Sequence, residues 1–291
     1  MTVVSGRTRI FGLVGHRARY SLSPRMHNAM LGALGVDGVY LVFDAHPDRA
    51  EAVAASIRTL DIAGVNLTVP FKERIVPFLD ELTGAARECG AVNTVTQVDG
   101  VLTGYNTDGE GLVRSLNGEH GFEPEGSSCL VLGAGGAARA IAGSLAAHGA
   151  STVKMLNRTA DRARCAGEHL SGFFSETRFD YGVLGADDFE SNAPASDLVV
   201  NCLGAGAESL VGGFDVSGLP VHAIWADINY WMPTQPLLKE CRHRGLRVSD
   251  GLGMLAEQGA LSFELFTGQP VDSGAMAQAI QTETCSERTS V

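Results

Sequence analysis

"CLVLGAGGAARAIAGSLAAHGA" occupies residues 129–150. Four apolar residues lead straight into glycines, and an alanine-rich run follows. That succession reads as a buried strand, a tight turn and a helix. Gly133, Gly135 and Ala138 keep the G-x-G-x-x-A spacing of a dinucleotide-binding turn. The first glycine allows the sharp bend, the second lets the backbone approach a pyrophosphate, and the alanine still permits close packing of helix on sheet. Ala134, Gly136 and Ala137 complete the turn. The unpaired N–H groups at the start of the helix are ready donors for an anion. A glycine turn alone is weak evidence, but here the strand before it and the helix after it supply the required context.

The next strand, in "STVKMLNRT" (151–159), speaks to the choice of cofactor. A site for NAD would place an acid at its end, to hold the ribose 2′-hydroxyl. This chain has Asn157, Arg158 and Thr159 there, and no acid before Asp161. A guanidinium fork suits a 2′-phosphate that a carboxylate would repel. The cofactor expected is therefore NADP(H). "DLVVNCL" (197–203), "AIWADIN" (223–229) and "LRVSDG" (246–251) read as further strands. Strands alternating with helices make a parallel, doubly wound sheet of Rossmann type.

Ahead of this region the texture differs, and "NGEHGFEPEGSS" (117–128) reads as a linker or surface connection. "RIFGLVG" (9–15), "VYLVFDA" (39–45) and "IAGVNLTV" (62–69) are predicted strands. "SLSPRMHNAMLGAL" is a predicted helix with Ser23 as N-cap and Pro24 at its first position, and 48–60 is another. "AVNTVTQV" and "VLTGYN" flank Asp99-Gly100, a strong hairpin signal. The first third is thus a small mixed α/β sheet with at least one antiparallel pair. Towards the other end, 253–267 is helical in pattern and 282–291 is expected to fray.

Composition sets outer bounds. The chain has 291 residues, which at roughly 100–200 residues per domain suggests two domains. It is 45% hydrophobic and 19% charged, enough apolar material to build cores. Its formal charge of −11 opposes nucleic acid or an anionic membrane as the main partner. Six cysteines form no CxxC pair and no zinc-ligand spacing with histidine, so no metal is expected and the thiols read as reduced. No secretion leader and no apolar run of about 18 residues is evident, which fits a soluble cytoplasmic protein.

Polar groups collect where the apolar runs of the first third stop: Ser21 and Ser23, then Asn66, Thr68 and Lys72, then Asn93 and Thr94, then Asn106, Thr107 and Asp108. Ligands of open α/β sheets gather outside strand ends, on such loops. Their hydroxyls and amides suit a polyhydroxylated substrate, and Lys72 and Asp108 are the close-set pair able to manage a proton. Taken singly, each has a structural explanation: Ser23 and Asp108 as helix caps, Asn93 and Asn106 as turn formers, Lys72 as a solvated side chain.

Taken together, "SLSP", "NLTVPFK", "GAVNT", "YNTDG", "GAGGAARA", "NRT" and "DGLGMLAEQ" closely resemble the shikimate dehydrogenase family in content, order and spacing, from about Ile10 to about Phe266. The resemblance implies NADP-dependent, reversible reduction of 3-dehydroshikimate to shikimate, a step of chorismate and aromatic amino acid biosynthesis. It gives Lys72 and Asp108 the catalytic positions, and Ser21 and Ser23 the substrate carboxylate. Asn66, Thr68, Asn93, Gln258 and Tyr230 line the substrate, and Gly251 joins the glycine turn and Asn157–Thr159 on the cofactor. It also implies a substrate domain of residues 1–108 and 251–291, an NADP domain of 109–250, a groove between them, and a monomer or homodimer. Four places differ from the family pattern: Tyr20 replaces a histidine before the serines, "NCLGAG" (201–206) replaces a hydroxyl-bearing loop, Gln235 replaces a threonine, and "INYWMPT" (228–234) is unusual. Alternatives open at this point are a quinate/shikimate or aminoshikimate dehydrogenase, and a ligand-binding relative without turnover.

Overall fold

The computed structural model describes residues 4–204, 206–230 and 235–284. Its chain divides into two compact units, one of Met1–Gly111 with Leu255–Val291 and one of Leu112–Met254.

The first unit opens with β1 (Arg9–Gly15), α1 (Ser23–Ala33), β2 (Gly38–Asp44), α2 (Ala50–Thr59), β3 (Gly64–Leu67) and the single turn α3 (Phe71–Arg74). It continues through β4 (Glu81–Leu82), α4 (Gly84–Cys89), β5 (Thr94–Val98), β6 (Val101–Tyr105) and the start of α5 (Asp108–His120). Its six strands lie in the order β2-β1-β3-β5-β6-β4. β1 runs parallel to β2 and β3, whereas β5 is antiparallel to β3 and to β6. The hairpin turns at Asp99 and Gly100 with φ of 50° and 81°, as the Asp-Gly pair predicts. Val14, Val65, Leu67, Phe71, Ile75, Val92, Val95 and Leu102 belong to one buried core.

The second unit holds β7 (Ser128–Leu132), α6 (Gly136–Ala147), β8 (Thr152–Asn157), α7 (Ala160–Ser171), β9 (Arg178–Val183), α8 (Ala186–Asn192), β10 (Leu198–Asn201), α9 (Glu208–Val211), β11 (Ile224–Asp227), α10 (Gln235–His243) and β12 (Arg247–Ser249). The strands are all parallel, in the order β12-β11-β10-β7-β8-β9, with the switch point between β7 and β10. Alternate residues of β7 serve two cores: Cys129 and Val131 pack with Leu145 of α6 and Leu170 of α7, while Leu130 and Leu132 pack with Phe189 of α8 and Leu238 of α10. A sheet apolar on both faces must be covered on both, which is why the unit is doubly wound. α11 (Leu252–Thr267) and α12 (Ser273–Thr284) then carry the chain back into the first unit, where α12 packs on α1.

One expectation is corrected in part. Residues 117–128 are not an interdomain linker: 117–120 are the last turn of α5, and 121–127 are a surface connection anchored by Phe122, which is buried in the second unit's core. The two units divide at 111/112 and 254/255, each point inside a helix, α5 and α11. Glycine and charge in 117–128 mimicked a linker because the loop after α5 is polar apart from the buried Phe122 and Pro124. The strand β9 was not expected at all. Of the predicted frayed end, 282–284 lie within α12 and 285–291 lie outside the described residues.

Candidate functional site

In the first unit, β3 ends at Leu67 and the backbone turns through Val69-Pro70, a cis peptide, into α3. Phe71 is fully buried in the core and fixes that turn, and the Lys72 carbonyl accepts from the Val92 N–H at 2.8 Å. So anchored, Lys72 reaches Asp108: Nζ donates to Oδ2 at 2.6 Å, with side-chain exposures of 17% and 5%. No other partner among the described residues takes the remaining ammonium hydrogens. Asp108 does not cap its own helix. Asn106 does so, its Oδ1 accepting from the Asp108 N–H at 3.0 Å, which leaves the carboxylate free to face the lysine.

Asp108 Oδ1 is held in turn by Asn93, whose Nδ2 donates to it at 2.8 Å. Asn93 Nδ2 also lies 2.9 Å from Thr107 Oγ1 and 3.5 Å from Gln258 Oε1. Asn93 Oδ1 accepts from the Thr107 N–H and from the Thr94 hydroxyl, both at 2.9 Å. Asn66 lies deeper. Its Oδ1 accepts from the Tyr40 hydroxyl at 2.8 Å, and its Nδ2 donates to Ser262 Oγ at 2.9 Å and Thr94 Oγ1 at 3.0 Å. Thr68 stands at the end of β3, its hydroxyl without a partner among the described residues. At the start of α1 the capping oxygen is that of Ser21, which accepts from the Ser23 N–H at 3.2 Å; Ser23 lies within the helix. The two serine hydroxyls are 3.1 Å apart. Gln258 donates from Nε2 to the Leu255 carbonyl at 2.8 Å. Thus Lys72, Asp108, Asn93 and Gln258 form one connected cluster, with Asn66 one layer beneath.

In the second unit, β7 runs into Gly133 with φ of 118°, a conformation that favours glycine. The Gly133 N–H donates to the Leu156 carbonyl at 2.7 Å, and Ala134 and Ala138 are buried. A Cβ added at Gly135 would meet nothing within 4 Å, so the backbone there is open to an approaching group. Gly136 and Ala137 open α6, a helix long enough to present a true N-terminus. At the end of β8, Asn157 Nδ2 donates to the Thr159 carbonyl at 2.9 Å, and Arg158 is exposed with no partner among the described residues. These residues fit a phosphorylated dinucleotide: a bare glycine turn, a helix start and an uncommitted guanidinium. Gly251 has φ of 84°, and a Cβ there would lie 2.6 Å from the Asp227 carbonyl oxygen.

Tyr230 follows a buried polar lattice at the ends of β10 and β11. Asp227 accepts from Asn201 Nδ2 at 2.9 Å, from the Asn229 N–H at 2.8 Å and from Asn229 Nδ2 at 3.1 Å. Of the departures from the family pattern, Ala205 and Trp231–Thr234 lie outside the described residues. Burial pushes the thiols of Cys129 and Cys241 up, to about 12 and about 11, which leaves them unreactive at neutral pH. Among the described residues no group of three or more His, Cys, Asp or Glu is placed to hold a metal ion, and no helix is long and apolar enough to cross a membrane.

Sequence reasoning passed over two residues of this cluster. Ser262 sits four positions after Gln258 on α11, a helical spacing that puts both on one face. Gly111, one turn into α5, lets α11 come close: a Cβ there would lie 2.7 Å from the backbone nitrogen of Gln258. Neither residue type advertises such a role.

A Rossmann sheet with a bare glycine turn in one unit, and in the other an ion-paired lysine among hydroxyls and amides, is the build of a nicotinamide-dependent oxidoreductase. The family profile of the shikimate dehydrogenase substrate binding domain matches residues 13–95, and that of the shikimate 5′-dehydrogenase C-terminal domain matches 251–281. The shikimate dehydrogenase (NADP(+)) of Citrifermentans bemidjiense is 41% identical over 278 residues, 95% of this chain and 96% of that one. The chain belongs to the shikimate dehydrogenase family. Among solved structures, shikimate 5-dehydrogenase from Thermus thermophilus, in complex with NADP(H) and shikimate, superposes with a TM-score of 0.82 at 35% identity, covering 94% of this chain and 99% of that one. Quinate dehydrogenase from Corynebacterium glutamicum, in complex with NAD, gives 0.84 at 30% identity, covering 94% and 99%.

Proposed function

We propose that this protein reduces 3-dehydroshikimate to shikimate, reversibly, with NADPH. The observation that carries the reading is the Lys72–Asp108 pair, 2.6 Å apart on a unit that also bears Ser21, Thr68 and Asn93 near strand ends and Gln258 on α11. The nicotinamide supplies the hydride. Lys72 gives a hydrogen bond, and then a proton, to the oxygen that becomes the new hydroxyl. Asp108 holds the ammonium in place, and Asn93 holds Asp108. Ser21 and Ser23 take the substrate carboxylate, and the unpaired Thr68 hydroxyl and Gln258 take ring hydroxyls. Tyr230 contributes from the second unit, while Gly133–Ala137, Asn157–Thr159 and Gly251 hold the dinucleotide, with Arg158 on its 2′-phosphate. The enzyme works as a soluble protein in the cytoplasm, as a monomer or homodimer, without nucleic acid.

A second reading, quinate oxidation with NAD, is favoured by the similarity to the Corynebacterium enzyme. Arg158, where an NAD site would place an acid, opposes it. Purified protein with 3-dehydroshikimate, quinate or an aminoshikimate-type substrate, each with NADPH/NADP or NADH/NAD, decides between them. The expected result is fastest turnover of 3-dehydroshikimate with NADPH. A preference for quinate and NAD would install the second reading, and no turnover of any pair would reject both.

A further inference from the structure

We infer that Ser262 is a positioning residue for the Lys72–Asp108 pair, acting through Thr94, Thr107 and Asn93. The inference rests on the reading of that pair as the catalytic one.

Ser262 has no exposed surface. Its Oγ lies 2.8 Å from the Gln258 carbonyl, 2.9 Å from Asn66 Nδ2, 2.9 Å from Thr94 Oγ1 and 3.2 Å from Thr107 Oγ1. These two threonine hydroxyls bracket the Asn93 amide from opposite ends: Thr94 donates to Oδ1, and Thr107 accepts from Nδ2. Turning the amide over would set Oδ1 against the Asp108 carboxylate and Nδ2 against the Thr107 N–H. The Thr107 N–H and the Asp108 carboxylate therefore decide that Nδ2 faces Asp108, where it donates at 2.8 Å, and the two hydroxyls hold the amide in that place from either end. Asp108, so fixed, aims its second oxygen at Lys72.

Ser262 touches both threonine hydroxyls and ties Thr94 to α11, the helix that carries Gln258, while Thr107 Oγ1 also reaches the Gln258 carbonyl itself, at 3.1 Å. A hydroxyl suits the place because it gives one hydrogen and accepts two, whereas an alanine would leave Thr94 with only Asn66 and Asn93, and Thr107 with only Asn93 and the Gln258 carbonyl, and would remove the oxygen that joins the two. The site would survive the change, with the amide still held by the Thr107 N–H and Asp108 but less closely confined. A displacement of order 1 Å at reacting groups is enough to cost about 100-fold in rate.

The test is a double-mutant cycle between Ser262→Ala and Asp108→Asn, read with 3-dehydroshikimate and NADPH, together with the exchange rate of the Asn93 side-chain amide hydrogens by NMR. Ser262→Ala is expected to lower kcat about 10- to 100-fold with the KM for NADPH unchanged, to speed amide exchange, and to add nothing further in the Asp108→Asn background. Ser262→Thr, which keeps the hydroxyl, should recover most of the loss. A fall of equal factor in both backgrounds, an unchanged kcat, or a KM for NADPH that rises in step would each overturn the inference. Should Ser262→Ala fail to fold, Ser262→Cys, of similar volume and weaker hydrogen bonding, takes its place in the cycle. If the wild type itself turns over nothing, the proposed function fails, and amide exchange alone decides: faster exchange in the variant supports the positioning role, unaltered exchange sinks it.

Discussion

The Lys72 ammonium gives one hydrogen to Asp108 at 2.6 Å, and its other two are unclaimed by any described residue. A lysine so placed is half committed to the protein and half offered to a ligand. Lys72→Ala should therefore lower kcat by about 100- to 10,000-fold, the range for loss of a general acid. The KM for 3-dehydroshikimate should rise by only a few fold, because serines, threonine and glutamine still hold the ring. Steady-state kinetics checks this, and equal losses in kcat and in substrate affinity would reassign Lys72 to binding. Arg158 is argued likewise from what it does not touch. A charge-assisted hydrogen bond to a phosphate is worth about 1.5–3 kcal/mol. Arg158→Gln should thus raise the KM for NADPH by about 10- to 100-fold and leave that for NADH nearly unmoved. A parallel rise for both cofactors would mean that the guanidinium supports the fold of the turn and does not read the phosphate.

The elements, more than single residues, decide where these groups meet. Gly111 shows how, because two effects on α5 oppose one another there. Glycine within a helix costs about 0.5–1 kcal/mol relative to alanine, so propensity alone makes Gly111→Ala stabilising. Yet the added Cβ would lie 2.7 Å from the backbone nitrogen and from Cβ of Gln258, and backbone cannot step aside as a flexible side chain can. Overpacking of this kind costs about 1–3 kcal/mol, so the steric term wins. Gly111→Ala is expected to lower the urea midpoint and to reduce kcat/KM, since α11 must back away and take Gln258 with it. A variant more stable than the wild type would show that α5 and α11 are not in such contact. The strand-turn-helix at 129–150 and the Asp-Gly hairpin were legible because local chemistry dictates both, through glycines at positive φ and apolar runs of the right length. β9 was not, although Phe179, Tyr181 and Val183 alternate along it: Arg178, Asp180 and Gly182 lie between them, and the strand pairs on one side only, with β8. Asn66 and Asn93 were read as ligand-facing from their place at strand ends. That they also belong to a buried lattice depended on Ser262, distant in sequence and brought there by the return of α11. Such tertiary closure leaves no local trace.

At the scale of the whole chain, the first unit is assembled from two separated segments, and its stability depends on the last helices coming home to the first. His27 of α1 stands at that seam. Its ring stacks on Tyr40 of β2 at 4.3 Å, with Phe263 and Phe266 of α11 at 6.1 and 6.0 Å. Both ring nitrogens are buried without a hydrogen-bond partner among the described residues, and burial lowers its pKa from 6.5 to about 3. The folded protein therefore refuses a proton that the unfolded chain accepts. Stability is fully present above pH 6.5 and declines as pH falls towards 3, at up to about 1.4 kcal/mol per pH unit. His27→Phe keeps a ring in the stack and removes the titration. At about pH 8 the variant should match the wild type or exceed it slightly, since two unsatisfied polar atoms are gone. At about pH 5 it should be more stable by roughly 2 kcal/mol, the gap closing again as pH rises. Urea unfolding of both proteins at several pH values measures this directly, followed by a probe in the first unit so that the two units are not averaged. Parallel stability curves from pH 8 to pH 4 would place the acid sensitivity elsewhere, and would mean that the seam between α1 and α11 opens to water before the imidazole has to choose.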